Sequence, residues 1–366
     1  MIARHRLDDL KFMKIALKQG QGGQGYTEPN PQVGAVAVKD GRILACGFHA
    51  AFGAEHAETM ALEQVDVPGT TLYLTLEPCS HFGKTPPCVD LIIAKKVKRV
   101  VMAMLDPNPL VGGSGIKKLQ AAGIQARCGL CRDQAELINR HYLKYIQTQV
   151  PYVAIHAGLS LDGKLTDNAG RSRWITAEES RRYSHSLRGE FSAILAGRNT
   201  IMADDPRLNL RERGWKGKTL YRVVLDSTNS LPAGLNIFKE QKDFPLVIFS
   251  SQDAQDKREK TARHFFVRRD AHGLLLGDIL KELSGLGIAS VLVEGGGRTI
   301  DSFVRERRFD EMVLFFSRKI VGGRDSVQLF ASGAAGLEEA LELGECRWSE
   351  LASGTVMRGF RKCSPA

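Results

Sequence analysis

Residues 71–88 read TLYLTLEPCSHFGKTPPC. A β-branched and aromatic run, Thr71 to Leu76, gives way to Glu77-Pro78-Cys79, so a strand ends and a thiol follows it into a Pro-rich loop that closes on a second thiol, Cys88. Working outward, apolar β-rich runs recur at 33–38 (VGAVAV) and 97–104 (VKRVVMAM), with helix-like stretches at 56–65 and 89–96 between them. That alternation predicts α/β organisation. A Gly-rich loop from Asn108 to Gly115 leads into a helix, a short strand and one long charged helix from Gln134 to Gln147, which Pro151 prevents from continuing. The alternation then restarts with YVAIHAGLSLDG at 152–163, and with apolar runs at 191–197, 221–227, 245–250, 289–297 and 311–323. Without an internal repeat between the halves, two different α/β domains are expected, 1–147 and 151–366.

The 366 residues carry a net charge of +10, divided evenly: residues 1–150 and the remainder each hold five excess positive charges. No basic tail or block stands out, so anionic small substrates are the expected partners and a nucleic acid is not. Residues 1–20 carry Leu7, Leu10, Met13, Ile15 and Leu17 among charges, which predicts an amphipathic helix and not a signal peptide. A cytoplasmic protein is expected. No uncharged apolar run reaches the roughly 18 residues of a membrane span. Seven scattered cysteines do not form a disulfide framework. Cys128-x-x-Cys131 has no second pair or histidine at ligand spacing, and reads as core or surface.

The chemistry concentrates in His56-Ala57-Glu58, Cys79 and Cys88. One imidazole and two thiolates are the donor set of a zinc site that keeps its fourth position for water. Glu58, two residues from the histidine at a helix start, can stand beside that water without ligating the metal, take its proton and pass it to a leaving group. A lone buried His or Cys is usually core; it is the conjunction that carries the reading. His-x-Glu followed by Pro-Cys and a further Cys is the signature of zinc nucleobase deaminases, except that eight residues, Ser80 to Pro87, separate the cysteines instead of two.

The long insert, together with NPQVGAV at 30–36, GFH at 47–49 and DPNPLVGGSG at 106–115, resembles the bifunctional riboflavin-pathway deaminase/reductase family. The resemblance continues through SLDGK (160–164), GRSRWIT (170–176), TIMADDPRLNLR (200–211), VLDS (224–227) and VEGGGRT (293–299), covering essentially the whole chain. It implies a cytidine-deaminase-like α/β/α sandwich followed by a dihydrofolate-reductase-like α/β domain. The activities it implies are zinc-dependent removal of the 2-amino group from 2,5-diamino-6-ribosylamino-4(3H)-pyrimidinone 5′-phosphate, then NADPH-dependent reduction of the ribosyl to the ribityl side chain. A homo-oligomer formed through the second domain is the family expectation.

Residue by residue, the resemblance implies that Asn30, His49, His81, Lys84 and Thr85 hold the ring, ribose or phosphate of the first substrate. In the second half it implies substrate contacts at Ser172, Arg188, Leu208, Arg211 and Glu294. Contacts with NADPH are implied at Gly158, Trp174, Thr200, Asp204, Ser227 and the 296–302 turn, including Gly296, Gly297, Arg298 and Thr299. Arg188 and Arg211 suit phosphate because a guanidinium offers fixed paired donors. Glycines after a buried strand let backbone N–H groups approach a phosphate. Two positions depart from the family pattern: His156 stands where a lysine is common, and Arg171 where an acidic residue is common. A second half that only binds or dimerises is therefore an alternative, as are a nucleic-acid base deaminase and a zinc-stabilised binding module.

Overall fold

The structure is a computed structural model that describes residues 2–65, 68–82, 86–109, 111–172, 174–211, 215, 217–255, 262–333 and 336–362. The chain divides into two compact units, Met1–Gln149 and Val150–Ala366.

In the first unit, β1 (Gly34–Lys39), β2 (Arg42–Phe48), β3 (Thr71–Leu74), β4 (Arg99–Met102) and β5 (Gln125–Cys128) form one sheet in the order β2-β1-β3-β4-β5. β1 runs antiparallel to β2 and β3, whereas β3, β4 and β5 are parallel. Side chains alternate across a strand, and here both faces are buried. Ala35, Ala37, Leu72, Leu74, Val100 and Met102 pack on the side of α2 (Ala57–Glu63), α3 (Cys88–Ala94) and α4 (Ser114–Ala121). Val36, Val38, Tyr73 and Val101 pack against α1 (Ile2–Gly20), α5 (Arg132–Ile138) and α6 (Arg140–Thr148). This is an α/β/α sandwich. α1 buries Phe12, Met13, Ala16 and Leu17, whereas Leu7, one of the apolar positions read from the sequence, is exposed.

The long helix expected over 134–147 is two helices. Asn139 leaves the helical path, and its side chain accepts from the Gln32 amide at 2.7 Å and donates to the Gln32 carbonyl at 3.0 Å. A short polar side chain that satisfies distant backbone in this way interrupts a helix. α6 ends because Gln149 adopts the left-handed conformation, two residues before Pro151.

The second unit is built on a nine-stranded sheet. Its strands are β6 (Tyr152–Leu159), β7 (Ala193–Gly197), β8 (Tyr221–Leu225), β9 (Leu246–Ser251), β10 (Arg263–Val267), β11 (Ser290–Val293), β12 (Glu311–Ser317), β13 (Leu343–Leu351) and β14 (Gly354–Arg361). The order is β10-β9-β8-β7-β11-β6-β12-β14-β13, parallel throughout except for the β14 and β13 pairings. α7 (Glu178–Leu187), α8 (Arg198–Asp204), α9 (Leu276–Gly285) and α10 (Gly297–Arg305) supply the helices. Central strands such as AILAG and SVLV are buried along their whole length, which is why they read as continuous apolar runs. β11, late in the chain, inserts between β6 and β7, so the carboxyl ends of these three strands form a crevice where ligands bind in open α/β sheets. No described helix is long and apolar enough to cross a membrane.

Candidate active sites

In the first unit the three ligand candidates converge from three elements. His56 immediately precedes α2, Cys79 follows β3, and Cys88 opens α3. α2 lies close on β2 because Gly47 has no side chain: a Cβ there would sit 2.3 Å from the Ala57 carbonyl oxygen. The His56 Nδ1 atom lies 3.2 Å from Cys88 Sγ and 3.7 Å from Cys79 Sγ, and all three donor atoms are within 4.8 Å of one another. Zinc bonds of about 2.0–2.3 Å in tetrahedral arrangement place N and S ligands roughly 3.5 Å apart, so the donor set fits the ion in chemistry and in span.

A hydrogen bond from Cys88 pulls the Cys79 thiol down to about 4 against the opposing effect of burial, with His56 assisting. Cys88, sharing that bond and buried, is pushed up. The bond with Cys79 raises His56. Glu58 is buried inside the first turn of α2; burial pushes its carboxyl up to about 7, and the Cys79 charge adds to the effect. A carboxyl poised there can both accept and return a proton at neutral pH.

His56, Glu58 and Cys79 open on a cavity of about 550 Å³ that Asn30, His49, His81, Asp106, Asn108 and Tyr142 also line. His49 Nδ1 lies 2.9 Å from the Glu55 carbonyl oxygen, an acceptor only, so this nitrogen carries the proton. Nε2 then accepts from Asn30 Nδ2 at 3.3 Å. The His49 ring packs edge-on against His56, with centroids 5.7 Å apart. The buried Glu77 carboxylate accepts from the amides of Asp106 (3.2 Å), Gly113 (3.0 Å) and Ile116 (3.0 Å), binding the 106–116 loop beside the thiols. Asp106 accepts from the Tyr142 hydroxyl at 2.7 Å, and burial raises its pKa.

In the second unit a cavity of about 850 Å³ occupies the crevice. Arg188 donates to Glu294 through two parallel bonds, Nε to Oε1 at 2.8 Å and Nη2 to Oε2 at 2.7 Å, and its Nη1 reaches the Asn209 carbonyl oxygen at 3.2 Å. Burial opposes the Glu294 charge, but the guanidinium overrides it and holds the carboxyl below its ordinary range. Arg211 Nε donates to His185 Nε2 at 3.2 Å. Burial, then the charges of Arg188 and Arg211, bring His185 down to about 4. The His156 ring lies 2.8 Å from the Ser184 hydroxyl through Nε2 and edge-on to Phe315; burial lowers its pKa.

At the end of β11 the turn Glu294 to Gly297 leads into α10. A Cβ on Gly295 would lie 2.9 Å from Thr299 Cβ, and one on Gly296 2.9 Å from Thr200 Oγ1. Gly297 opens the nine-residue α10, whose amino end suits a phosphate. The cradle therefore fits the phosphates of a dinucleotide.

Comparison with known proteins matches residues 7–104 to the cytidine and deoxycytidylate deaminase zinc-binding region, and residues 151–357 to the RibD C-terminal domain. The riboflavin biosynthesis protein RibD of Aquifex aeolicus is 40% identical over 353 residues, spanning 95% of this chain and 97% of that one. The Escherichia coli K12 protein of the same name is 37% identical, over 86% and 89% of the two chains. The chain belongs to the RibD family. Among solved structures, the Thermotoga maritima diaminohydroxyphosphoribosylaminopyrimidine deaminase/5-amino-6-(5-phosphoribosylamino)uracil reductase superposes with a TM-score of 0.86 at 33% identity, covering 98% of this chain and 100% of that one. Acinetobacter baumannii RibD gives 0.88 at 30% identity over the same shares. The chain is thus a bifunctional riboflavin-biosynthesis deaminase/reductase, with zinc and NADPH as its cofactors.

The first cavity gathers Asn30, His49, His56, Glu58, Cys79 and His81, and Cys88 completes the donor cluster. Lys84 and Thr85 lie outside the described residues. The second gathers Gly158, Ser172, Trp174, Arg188, Thr200, Asp204, Leu208, Arg211, Glu294, Gly296 and Gly297. Ser227, Arg298 and Thr299 are not in its lining: Ser227 follows β8 by two residues, Arg298 lies in α10, and Thr299 packs under Gly295 and Gly197. Arg188 suits a phosphate by residue type, yet its paired donors are engaged by Glu294. The SLDG segment serves as a turn, with Asp162 accepting from the Val321 (2.9 Å) and Gly322 (2.7 Å) amides. Arg171 is accommodated by Asp167, which it reaches through Nε at 2.8 Å. Glu77, Asp106, Asn108, Tyr142, Ser184 and His185 were not singled out in the sequence; a carboxylate directly before Pro-Cys was the available signal for Glu77.

The two lowered histidines give the second unit a pH dependence of definite sign. An unfolded histidine titrates near 6.5. Below that pH the unfolded chain binds protons that folded His156 and His185 refuse, so their contribution is complete above about 6.5 and is lost as pH falls toward the folded values, about 4 for His185. The urea midpoint read by tryptophan fluorescence should fall between pH 7 and 5. Replacing both residues by glutamine should flatten that fall; an unchanged slope would place its origin elsewhere.

Proposed function

We propose that residues 1–147 deaminate 2,5-diamino-6-ribosylamino-4(3H)-pyrimidinone 5′-phosphate and residues 151–366 reduce the resulting ribosylaminouracil phosphate to its ribityl form. The observation that carries the first step is the buried Glu58 carboxyl in the first turn of α2, beside three converging zinc donors. His56, Cys79 and Cys88 would hold the zinc, which when bound acidifies a water molecule. Glu58 would take a proton from the attacking water and deliver it to the adjacent ring nitrogen as the C–O bond forms, then carry the remaining hydroxyl proton to the amine as the C–N bond breaks, releasing ammonia and leaving the uracil carbonyl. His49 and Asn30, linked to each other, orient the pyrimidine with His81, and Lys84 meets the phosphate as a point charge.

NADPH, when bound in the second cavity, would supply a hydride to C1′ of the opened ribosyl chain, with a proton from solvent completing the ribitylamine. Gly158, Trp174, Thr200, Asp204, Ser227 and the Gly296 to Thr299 turn hold the dinucleotide. Ser172, Leu208, Arg211 and Glu294 face the substrate, with Arg211 available to the phosphate and Arg188 fixing Glu294. β13, an edge strand exposed along most of its length, supports self-association through the second unit, since unpaired strand edges recruit partners. The even charge supports small-molecule substrates over nucleic acid, and the same reading makes this a cytoplasmic enzyme.

Removing zinc separates the two steps. A chelator should abolish ammonia release, while NADPH oxidation on supplied deaminated ribotide continues at the untreated rate. Loss of both activities together would contradict independent sites.

A further inference from the structure

Four arginines line the second cavity, Arg181, Arg188, Arg207 and Arg211, and three of them are engaged within the protein. Arg188 is paired with Glu294. Arg207 Nη1 donates to Glu240 Oε1 at 3.1 Å. Arg181 donates to the Thr176 carbonyl oxygen at 2.8 Å and lies over the Trp174 ring, 4.2 Å from its centroid. Arg211 is held differently. Among the described residues it has no carboxylate partner, and its terminal nitrogens make no hydrogen bond to any of them; its Nε donates to His185 Nε2.

The loop that carries Arg211 is braced at its backbone. Arg222, fully buried on β8, donates to the Arg207 carbonyl oxygen at 3.1 Å, and Arg188 to that of Asn209 at 3.2 Å. The Asn209 side chain donates to Glu240 Oε2 at 2.8 Å. These bonds flank Leu208, which is buried with a φ of +47°, a left-handed conformation that persists where the surroundings over-determine it. The backbone is therefore fixed as far as Asn209. Beyond it the exposed Arg211 side chain is fixed at Nε, by a bond of 3.2 Å to a residue in the last turn of α7. His185 stands outside the cavity lining, so whatever it does for a ligand passes through the arginine.

An arginine Nε–H only donates, so His185 Nε2 carries a lone pair and the ring is neutral. Burial and the charges of Arg188 and Arg211 keep it so. A carboxylate in that place would fix Arg211 equally well but offset its charge, as Glu294 and Glu240 do for Arg188 and Arg207. A neutral acceptor fixes the side chain and leaves both its charge and its terminal fork to a ligand. We propose that His185 is a positioning residue of the reductase half: it holds Arg211 as an unneutralised cation whose terminal nitrogens take the phosphate of the ribosyl substrate, and it thereby sets the preference for the phosphorylated over the dephosphorylated form. The assignment rests on the reductase reading of the second cavity.

The test is steady-state reduction by the full-length, zinc-loaded protein at saturating NADPH, with 5-amino-6-ribosylaminouracil 5′-phosphate and with its dephosphorylated riboside. His185→Leu should raise KM for the phosphate ester about two- to tenfold and leave kcat within about twofold, because a long side chain must then be immobilised on binding. His185→Gln, a neutral acceptor of similar reach, should bring KM back to within about twofold of the wild type. His185→Glu keeps the bond but offsets the charge, so its KM should rise about ten- to a hundredfold, the scale of charge-assisted hydrogen bonds. For the riboside, kcat/KM should stay within about twofold in all three variants. A glutamate variant as good as the glutamine one would overturn the assignment, as would an unchanged KM in all three. Equal losses on both substrates would also overturn it, since the residue would then be shaping the fold. A wild type that reduces neither compound would overturn the reductase reading together with it.

Discussion

Glu58→Gln should retain one zinc per chain and lose ammonia release by about 10²–10⁴-fold, the usual contribution of a positioned proton carrier. The substitution preserves shape and a hydrogen-bonding end in the first turn of α2, but an amide cannot take a proton from water and return it. Because the substitution keeps the shape of a buried side chain, thermal unfolding of the first unit should change by little. Zinc content by elemental analysis and ammonia by a coupled assay provide the check, with NADPH-dependent reduction of the deaminated ribotide as the internal control. Retained deamination would remove Glu58 from the proton path, and joint loss of zinc and activity would make its role structural.

Arg188→Ala should destabilise the second unit by about 3–5 kcal/mol, the cost of leaving a buried charge without its partner. Arg188 and Glu294 side chains are only 16% and 9% exposed, so water cannot replace the missing guanidinium. All three tryptophans, Trp174, Trp215 and Trp348, follow residue 150, and their fluorescence reports this unit alone. With urea slopes of about 1–3 kcal/mol per molar, the midpoint should fall by at least about 1 M. Arg188→Met combined with Glu294→Leu should recover much of the loss, because an apolar pair of similar volume carries no stranded charge, yet it should not recover reduction. An unchanged midpoint in Arg188→Ala would show that water or another cation already compensates Glu294.

The sequence disclosed features whose signals are local and missed those made by distant pairing. His56, Glu58, Cys79 and Cys88 lie in short motifs whose residue types already state their chemistry, and the structure brings them together. The central strands were legible because both of their faces are buried and no polar alternation interrupts them. β2, by contrast, is exposed over Arg42 to Leu44, and β13 over nearly its whole length, so neither shows the apolar run that marks the others. The break at Asn139 depends on Gln32, 107 residues away, and the engagement of Arg188 depends on Glu294, 106 residues away. Glu77 holds amides from a loop about thirty to forty residues downstream, a role that no spacing rule predicts. The misses at Asn139, Arg188 and Glu77 are each a polar side chain satisfying backbone or charge across the fold.

The central claim, two consecutive reactions on one chain, is tested most directly by stoichiometry. The purified zinc-loaded protein is given a limiting amount of 2,5-diamino-6-ribosylamino-4(3H)-pyrimidinone 5′-phosphate, and ammonia is followed before NADPH is added and NADPH oxidation afterwards. One ammonia released per substrate without NADPH, followed by one NADPH oxidised per ammonia, is the predicted result. No ammonia from the zinc-loaded protein, or ammonia with no subsequent NADPH oxidation, would contradict it.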